Sequence, residues 1–288
     1  MKIAIASGKG GTGKTFLTTN LFHVMRTRGQ RVAIVDCDAE VPNAQLFVRG
    51  EEREHWAVKA LCPEVVREVC TLCGECARGC AFHAITCIPA VGYIKILADL
   101  CHGCGACLVE CPERAIREGW KELGRVTRYA CGEDQLFEAR INEGQHSPVG
   151  IIRDAIRRAE ETSAEYILLD APPGCSCPFV HTVKDADRVV LITEPTPFGL
   201  SDLRHTVAVL RQIGKPFGVV INRADLGDGS LREWLLEEKI PLLAELPYSA
   251  EIATRYACGE VAAEHDPRWY AMMEGIAQKL LAYEDSDH

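Results

Sequence analysis

The sequence has no long hydrophobic run and no excess of positive charge. Its 288 residues contain no stretch close to the ~18 uninterrupted apolar residues that a membrane span needs. Acidic residues outnumber basic ones by 41 to 32, and nucleic-acid binding favours a basic face. We therefore expect neither a membrane nor a nucleic acid as a partner.

The composition is otherwise that of a globular chain. Hydrophobic residues make up 47% and charged residues 25%, which excludes a disordered or fibrous protein. The length predicts about two domains. The apolar stretch at residues 1–6 is too short for a signal peptide and runs directly into a glycine-rich loop, so we expect a cytoplasmic protein.

Cysteine is the residue type in clear excess. Ten of the 15 cysteines fall between positions 62 and 111, which is about a sixth of the chain. In a cytoplasmic protein of this length, such a concentration indicates metal binding rather than disulfide bonds.

Short apolar strands alternate with amphipathic helices on both sides of the cysteine-rich segment. This alternation predicts an α/β fold with a doubly wound, mostly parallel sheet. Residues 54–128 interrupt the alternation and predict a small inserted α+β domain, with residues 1–53 and 129–288 forming the main domain. The predicted strands span residues 2–6, 31–36, 166–170, 188–193, 216–221 and 242–246, and the predicted helices residues 14–28, 150–159, 201–213, 230–239 and 267–283.

Residues 8–15 match the G-x-x-x-x-G-K-[ST] pattern of a phosphate-binding loop (P-loop), between a predicted strand and a predicted helix. Glycines let backbone N–H groups surround phosphate oxygens, and the following helix N-terminus favours the anion. Lys14 is predicted to reach the β- and γ-phosphates of ATP, and Thr15 to ligate Mg²⁺. The predicted nucleotide contacts of the loop are Gly8, Lys9, Gly10, Gly11, Thr12, Gly13, Lys14 and Thr15.

A second lysine inside the loop, Lys9, makes the chain similar to the MinD/ParA/nitrogenase-iron-protein family of deviant-Walker ATPases. The resemblance implies that Lys9 crosses a dimer interface and contacts the nucleotide of the partner subunit. There it would add positive charge where the phosphoryl transition state spreads negative charge. It thus implies a nucleotide-dependent homodimer, or a heterodimer with a related ATPase. The alternative interpretation is a solvated loop lysine.

Other motifs outside the cysteine-rich segment match the same family. The segment around Asp38 resembles its first switch, where this residue would position the attacking water. Residues 167–174 resemble the Walker B strand and second switch, which implies that Asp170 holds Mg²⁺ through water. Asn222 matches a position that binds adenine and Pro247 a backbone contact to the base, although a strand-end asparagine is equally typical of a turn.

The cysteine-rich segment contains an internal repeat. Residues 70–85 and 101–116 share seven identical positions, including four cysteines spaced C-x₂-C-x₂-C-x₃-C. This spacing resembles that of bacterial ferredoxins with two [4Fe–4S] clusters, in which the fourth cysteine of each run ligates the other cluster. Zinc is the competing interpretation. The resemblance implies a first cluster site of Cys70, Cys73, Cys76 and Cys111, and a second of Cys101, Cys104, Cys107 and Cys80.

The remaining cysteines carry weaker signals. Cys177 lies seven residues after Asp170, the offset of a bridging cluster cysteine in the nitrogenase iron protein, but the companion cysteine expected around 142–148 is absent. Cys175 and Cys177 are therefore candidates for a metal or cluster between subunits, with inert packing as the alternative. Five isolated cysteines are predicted to be small buried hydrophobic residues: Cys37, Cys62, Cys87, Cys131 and Cys258.

Together the two motif sets resemble MinD-superfamily ATPases with an inserted ferredoxin domain. The resemblance implies an ATPase that couples nucleotide state to low-potential electron transfer with a redox protein partner. One alternative is an Fe–S or metallocluster assembly ATPase of the Mrp type. A second is a MinD- or ParA-like positioning ATPase. The acidic residues 284–288 argue against the second, because a membrane-binding C-terminal helix of that type is basic.

Overall fold

Nine strands form one large sheet in the computed structural model, which describes residues 1–282. Their order is β13-β12-β11-β1-β10-β2-β9-β8-β3, and all neighbouring pairs from β13 to β9 are parallel. The strands are β1 (Lys2–Ala6), β2 (Val32–Asp36), β3 (Glu51–Leu61), β8 (Trp120–Cys131), β9 (Asp134–Ile141), β10 (Tyr166–Asp170), β11 (Arg188–Thr193), β12 (Phe217–Asn222) and β13 (Leu242–Leu246).

Helices cover both faces of this sheet. Ile151, Phe179 and Leu203 belong to the buried core on one face, and Leu17 and Met273 to the core on the other. The predicted α/β fold with a doubly wound, mostly parallel sheet is confirmed. The helices of the main domain are α1 (Lys14–Thr27), α4 (Val149–Glu160), α5 (Cys177–Asp185), α6 (Pro197–Ile213), α7 (Ser230–Glu237), α8 (Ala250–Ala257), α9 (Ala262–His265) and α10 (Pro267–Ala282).

The predicted strands all occur, and the largest differences lie near the cysteine-rich segment. Strands β3, β8 and β9 were not predicted; β8 and β3 extend the sheet as an antiparallel ribbon, with Leu61 paired to Trp120 at its far end. Residues 54–61 and 120–128, predicted to be part of the inserted domain, therefore belong to the large sheet.

Residues 62–119 form a small unit at the end of the ribbon. Its own hydrophobic cluster includes Cys76, Ile85, Ile94 and Ile116. Its elements are two two-stranded sheets, β4 (Glu64–Val65) with β7 (Ile116–Arg117) and β5 (Ile85–Ile88) with β6 (Tyr93–Ile96), and two short helices, α2 (Glu75–Arg78) and α3 (Ala106–Glu110).

The C-terminal helix was predicted to reach residue 283, but its last residue and the acidic residues 284–288 lie outside the described residues. Within residues 1–282, no helix is both long enough and apolar enough to span a membrane.

Candidate nucleotide site and cysteine clusters

The predicted site residues of the main domain collect at one edge of the sheet. Parallel strands place their carboxyl ends together, and α/β sheets bind ligands outside these ends. The P-loop follows β1, Asp170 ends β10, and Asn222 ends β12. Asp36 ends β2 and is paired in register with Asp170.

The P-loop closes tightly around the start of α1. Gly13 has φ +103°, and a Cβ atom there would lie 2.7 Å from Nδ2 of Asn222, so only glycine fits. Asn222 Nδ2 donates a hydrogen bond to the carbonyl oxygen of Thr12 at 2.9 Å. The predicted base-binding asparagine is thus attached directly to the phosphate loop.

Lys14 points into the loop and is buried. Its Nζ donates to Ser7 Oγ at 3.2 Å. Burial lowers the pKa of the Lys14 ammonium, and the nearby carboxylates, Asp170 first among them, oppose that shift. An ammonium group with little other hydrogen bonding is available for a phosphate oxygen.

Asp170 has the environment expected of a residue that holds Mg²⁺. Its Oδ2 accepts a hydrogen bond from Thr15 Oγ1 at 2.7 Å. Its Oδ1 is buried and has no hydrogen-bond partner among the residues that the structure describes. Burial raises the pKa of Asp170 to about 6. The hydroxyl and carboxylate oxygens fit the preference of Mg²⁺ for oxygen ligands.

Asp36 is a site residue to which the sequence analysis gave no role. Its two carboxylate oxygens accept the backbone N–H groups of Asp38, Asn43 and Ala44 at 3.1, 2.8 and 2.9 Å. Burial and the neighbouring Asp170 raise the pKa of Asp36 well above its usual value. Asp36 therefore fixes the backbone of the predicted first switch, and only its position at a strand end could have indicated this.

One cavity of about 410 Å³ joins these groups, which is within the usual range for a small-molecule site. Asp38, Asp170, Asn222 and Pro247 all line it. Aromatic rings line it as well, with Phe16 packed edge-on against Tyr256 and Trp269 at centroid distances of 5.7 and 5.4 Å. These three aromatic residues were not predicted.

Lys9, the second lysine of the loop, forms an ion pair with a residue of its own chain. Its Nζ lies 3.3 Å from Oε2 of Glu194, and Oε1 of the same carboxylate accepts from Arg223 at 2.6 Å. The Glu194 side chain is only 11% exposed. Glu194 directly follows β11 and meets Lys9 only in the folded chain, so the sequence carried no signal for this contact.

Two further cavities lie in the small unit, and each is lined by one of the predicted cysteine sets. The first cavity contacts Cys70, Cys73, Cys76 and Cys111, and the second contacts Cys80, Cys101, Cys104 and Cys107. The fourth cysteine of each run thus faces the first three of the other run. This is the exchange implied by the ferredoxin resemblance.

The repeat is also visible in the backbone. Leu72 and Gly103, which are 31 positions apart, have φ of +60° and +67°. The Sγ atoms of Cys80 and Cys111 accept backbone N–H groups four residues later, at 3.3 and 3.2 Å. Both halves of the repeat therefore wrap in the same way around their cavities.

Burial raises the pKa of two thiols that face these cavities. It is the largest cause of the increase for Cys76, whose pKa rises to about 11, and it also raises the pKa of Cys107. In both cases neighbouring cysteines of the same set, Cys111 and Cys101 respectively, add to the increase. Metal bound by the thiolates would remove this mutual repulsion.

Within residues 1–282, no three His, Cys, Asp or Glu side chains are close enough to hold a single metal ion as they stand. Four thiols line each cavity, and thiolates are the ligand type that iron–sulfur clusters and zinc both use.

Cys175 and Cys177 are both exposed, just beyond the predicted second switch. Cys175 Sγ lies 3.4 Å from Thr206 Oγ1, and Cys177 is the first residue of α5. The prediction that five isolated cysteines are buried holds for two and is wrong for three. Cys37 and Cys131 lie in the cores, whereas Cys62 and Cys87 are half-buried in the small cysteine-rich unit and Cys258 is exposed.

These features define a P-loop nucleotide-binding protein with an attached cysteine-rich unit. Residues 3–261 match the CobQ/CobB/MinD/ParA nucleotide binding domain family, to which the chain therefore belongs. This is a family of P-loop ATPases. The solved structure of the septum site-determining protein MinD of Pyrococcus horikoshii, complexed with Mg-ADP, has the same fold. It matches with a TM-score of 0.59 and 19% identity over 97% of this chain and 95% of that one.

Several curated proteins are similar along most of the chain. An uncharacterized protein of Methanocaldococcus jannaschii is 31% identical over 79% of this chain and 80% of its own. The chlorophyllide reductase 35.5 kDa chain of Rhodobacter capsulatus is 24% identical over 94% and 70%. The cytosolic Fe-S cluster assembly factor CFD1 of Yarrowia lipolytica is 21% identical over 76% and 60%.

Proposed function

We propose that this chain is an ATP-hydrolysing iron–sulfur protein whose nucleotide state controls electron transfer through two [4Fe–4S] clusters. The observation that carries the proposal is the sorting of eight cysteines around two cavities. The unit that contains them is joined by one ribbon to the first switch of a P-loop ATPase.

The nucleotide half of the proposal assigns a role to each group around the large cavity. Lys14 binds the phosphates, Thr15 and Asp170 hold Mg²⁺, and Asp38 orients the attacking water. Asn222 and Pro247 bind the base. The relative from Pyrococcus horikoshii supports this assignment, since it was solved with Mg-ADP.

The cysteine half of the proposal assigns the first cavity and the second cavity to one [4Fe–4S] cluster each. A cluster bound there would accept and donate single electrons at low potential. Ile94 lines the first cavity and Ile85 the second, and both side chains exclude water from the sulfur atoms. Cys73 and Cys104 are exposed, so they provide the edges at which a redox protein partner would approach.

The two halves are coupled through the segment between the first switch and the ribbon. Asp36 fixes residues 43 and 44, and β3 begins only seven residues later at Glu51. A movement of the switch on ATP binding or hydrolysis would therefore reach the base of the ribbon. In P-loop proteins, the bound nucleotide controls whether such switch segments are ordered and where they lie.

The proposal includes a nucleotide-dependent dimer, with itself or with a related ATPase. Lys9 would leave Glu194 and contact the nucleotide of the other subunit, where its charge stabilises the transition state. The exposure of about a third of the Lys9 side chain is compatible with such a movement.

The decisive experiment is anaerobic purification followed by iron and sulfide analysis, with EPR spectra of the reduced protein with and without ATP. We expect about eight irons per chain and a spectrum that changes with ATP in the wild type but not in Lys14→Ala. Cys76→Ala should lose about four irons, whereas the matched control Cys258→Ala, far from both cavities, should lose none. Zinc in place of iron, or eight irons with no response to ATP, would contradict the proposal.

Assembly and transfer of clusters is a second candidate function. The exposed pair Cys175 and Cys177 beside the second switch favours it, as does the similarity to an Fe-S cluster assembly factor. A protein with this function would transfer a cluster to an apo-acceptor protein. The double variant Cys175→Ser/Cys177→Ser should then block transfer while keeping the eight irons of the repeat, whereas electron transfer would be unaffected.

A further inference from the structure

The two halves of the cysteine repeat line the two cavities position by position. Residues 70–85 and 101–116 share seven identical positions, which are four cysteines, one glycine and the final Ala-Ile pair. In each half, all seven of these residues line one cavity or the other. Every identity within the repeat is thus used in the wall of a cavity, so the two walls are built alike.

Two more positions of the repeat line a cavity in both halves, and these two differ. Thr71 and Glu113 line the first cavity. His102 and Phe82, which are 31 positions from Thr71 and Glu113 respectively, line the second cavity. A hydroxyl and a carboxylate in the first cavity therefore take the place of two aromatic rings in the second.

The two rings of the second cavity stack on each other. The centroids of the Phe82 and His102 rings are 4.0 Å apart, and their planes are inclined by 15°. Phe82 is 40% exposed and His102 is exposed as well, although both residues line the cavity. The stack therefore lies between the second cavity and solvent. Threonine and glutamate have no ring, so no such stack covers the first cavity.

The backbone at positions 82 and 113 follows the same path. The next residue has a positive φ in both halves, +50° at His83 and +49° at Arg114. Its N–H donates to the carbonyl oxygen of the fourth cysteine of the run, Cys80 or Cys111, at 3.0 and 3.1 Å. The side chains at 82 and 113 therefore start from equivalent places, and the difference between the cavities lies in the side chains themselves.

The second cavity is also the one whose cysteine loop packs on the ribbon. A Cβ on Gly103 would lie 2.7 Å from the carbonyl oxygen of Leu61, the last residue of β3. Lys121 of β8 donates from Nζ to the carbonyl oxygen of Cys101 at 3.0 Å. The loop of the second site is thus attached to the part of the chain through which the proposed nucleotide control acts.

We propose that the Phe82–His102 stack closes the second cluster to molecules from outside, so that a redox partner exchanges electrons with the protein at the first cluster. The inference rests on the proposed function, because it needs a cluster at both sites. Cys73 and Cys104 are both exposed, so the stack rather than the ligands distinguishes the sites. An apolar cover around a metal centre controls the access of solvent and reactants.

The test measures iron release from the anaerobically purified holoprotein to bipyridine, a small neutral chelator. In the wild type we expect two phases of about four irons each, the faster one from the first site. Cys76→Ala and Cys107→Ala, which should each keep one cluster, assign the phases to the sites. The same two variants, once reduced, are mixed with benzoquinone, and the cluster of the first site should lose its electron to the quinone several-fold faster.

Exchange of the two side-chain pairs is the sharpest comparison, because the backbone is alike. Phe82→Glu/His102→Thr should speed up the slow phase of iron release several-fold, and Thr71→His/Glu113→Phe should slow the fast phase. Phe82→Leu, which stays apolar but cannot stack, should speed up the slow phase to a smaller extent. Val109→Ala, at a largely exposed position that lines neither cavity, is the control and should leave both phases unchanged.

The outcomes separate this inference from the proposed function. Release of all iron in a single phase by the wild type, or phases that the exchanges leave unchanged, would overturn the inference and leave the proposed function standing. If Phe82→Glu/His102→Thr is isolated with only the first cluster, Phe82→Leu decides, since a faster slow phase supports the cover and an unchanged one overturns it. A wild type without iron–sulfur clusters would overturn both proposals.

Discussion

Asp170 has opposite effects on folding and on Mg²⁺ binding. Its folded pKa of about 6 is above its usual value of 3.8, so the folded protein binds more protons than the unfolded chain between these values. The stability due to the protonated group is complete below pH 4 and is lost as the pH rises through 6. The charge of the ionised carboxylate therefore serves Mg²⁺ binding, while its burial lowers the stability of the nucleotide-free fold.

Asp170→Asn should accordingly stabilise the nucleotide-free protein at pH 7, by roughly 3 kcal/mol if the whole shift is recovered. It should abolish Mg²⁺-dependent ATP hydrolysis, because an amide is a poor ligand for Mg²⁺. Urea unfolding at pH 4 and pH 7, together with an ATPase assay, measures both effects.

The matched variant Asp36→Asn should gain less stability, since its carboxylate accepts three backbone N–H groups and an amide has only one acceptor oxygen. Equal stability of wild type and Asp170→Asn at pH 7 would contradict the prediction.

Glu194 holds Lys9 within the subunit, so it competes with the proposed contact across a dimer. Removing its charge in Glu194→Gln should release Lys9 and raise the nucleotide-dependent dimer affinity several-fold. Sedimentation velocity with a non-hydrolysable ATP analogue measures this. The double variant Lys9→Ala/Glu194→Gln is the control and should lose the gain, because the released cation is absent. An equal gain in the double variant would mean that Lys9 does not act across the interface.

Two aromatic rings link elements that the sequence analysis treated as separate. Phe47, between the first switch and β3, stacks on Tyr256 of α8 at a centroid distance of 4.4 Å and an interplanar angle of 19°. Tyr256 also lines the nucleotide cavity. Helix α8, which contributes to the site, thus contacts the segment that leads to the ribbon.

Phe47→Ala should weaken the effect of nucleotide on the cysteine-rich unit while leaving nucleotide affinity within a few-fold of wild type. Aromatic pairs contribute about 0.5–1.5 kcal/mol beyond their buried area, so loss of the stack is enough to change the coupling but not the fold. The readout is the ATP-dependent change in the EPR spectrum at saturating nucleotide. Leu46→Ala, at the neighbouring position with a largely exposed side chain, is the control and should respond as the wild type does. A full nucleotide response in Phe47→Ala would exclude this route.

The elements that could be predicted are those whose sequence pattern has a local cause. The P-loop glycines, the apolar strands β1, β10 and β12, and the cysteine spacing each follow from backbone conformation, burial or ligand geometry over a few residues. Strand β3 begins Glu-Glu-Arg-Glu-His and was not recognised, because it lies at the edge of the sheet, where charged side chains are tolerated and protect against unwanted pairing. Glu194 and Phe47 act through contacts between distant parts of the chain, which no local pattern encodes.

At the scale of the whole molecule, the nucleotide domain and the cysteine-rich unit meet at the far end of the β3–β8 ribbon. Leu61 and Trp120 are the last pair of the β3–β8 ladder, so the cysteine-rich unit enters and leaves through two adjacent positions. Its hydrophobic cluster is distinct from the two cores that cover the sheet. An insertion with neighbouring ends and its own core leaves the topology of the host sheet unchanged.

Replacing residues 62–119 by an Asn-Gly turn should therefore give a folded protein that binds ATP and contains no iron. A two-residue turn of this type closes an antiparallel ladder with the twist that the strands require.

The matched deletion at the boundaries expected from sequence, residues 54–128, removes most of β3 and β8 and exposes buried side chains of β9. It should unfold at a lower temperature and aggregate more, because β9 becomes a hydrophobic edge. Thermal unfolding and nucleotide titration of the two deletions compare them directly. Equal stability of the two, or loss of ATP binding in the shorter deletion, would mean that the ribbon is not the boundary between the nucleotide domain and the cysteine-rich unit.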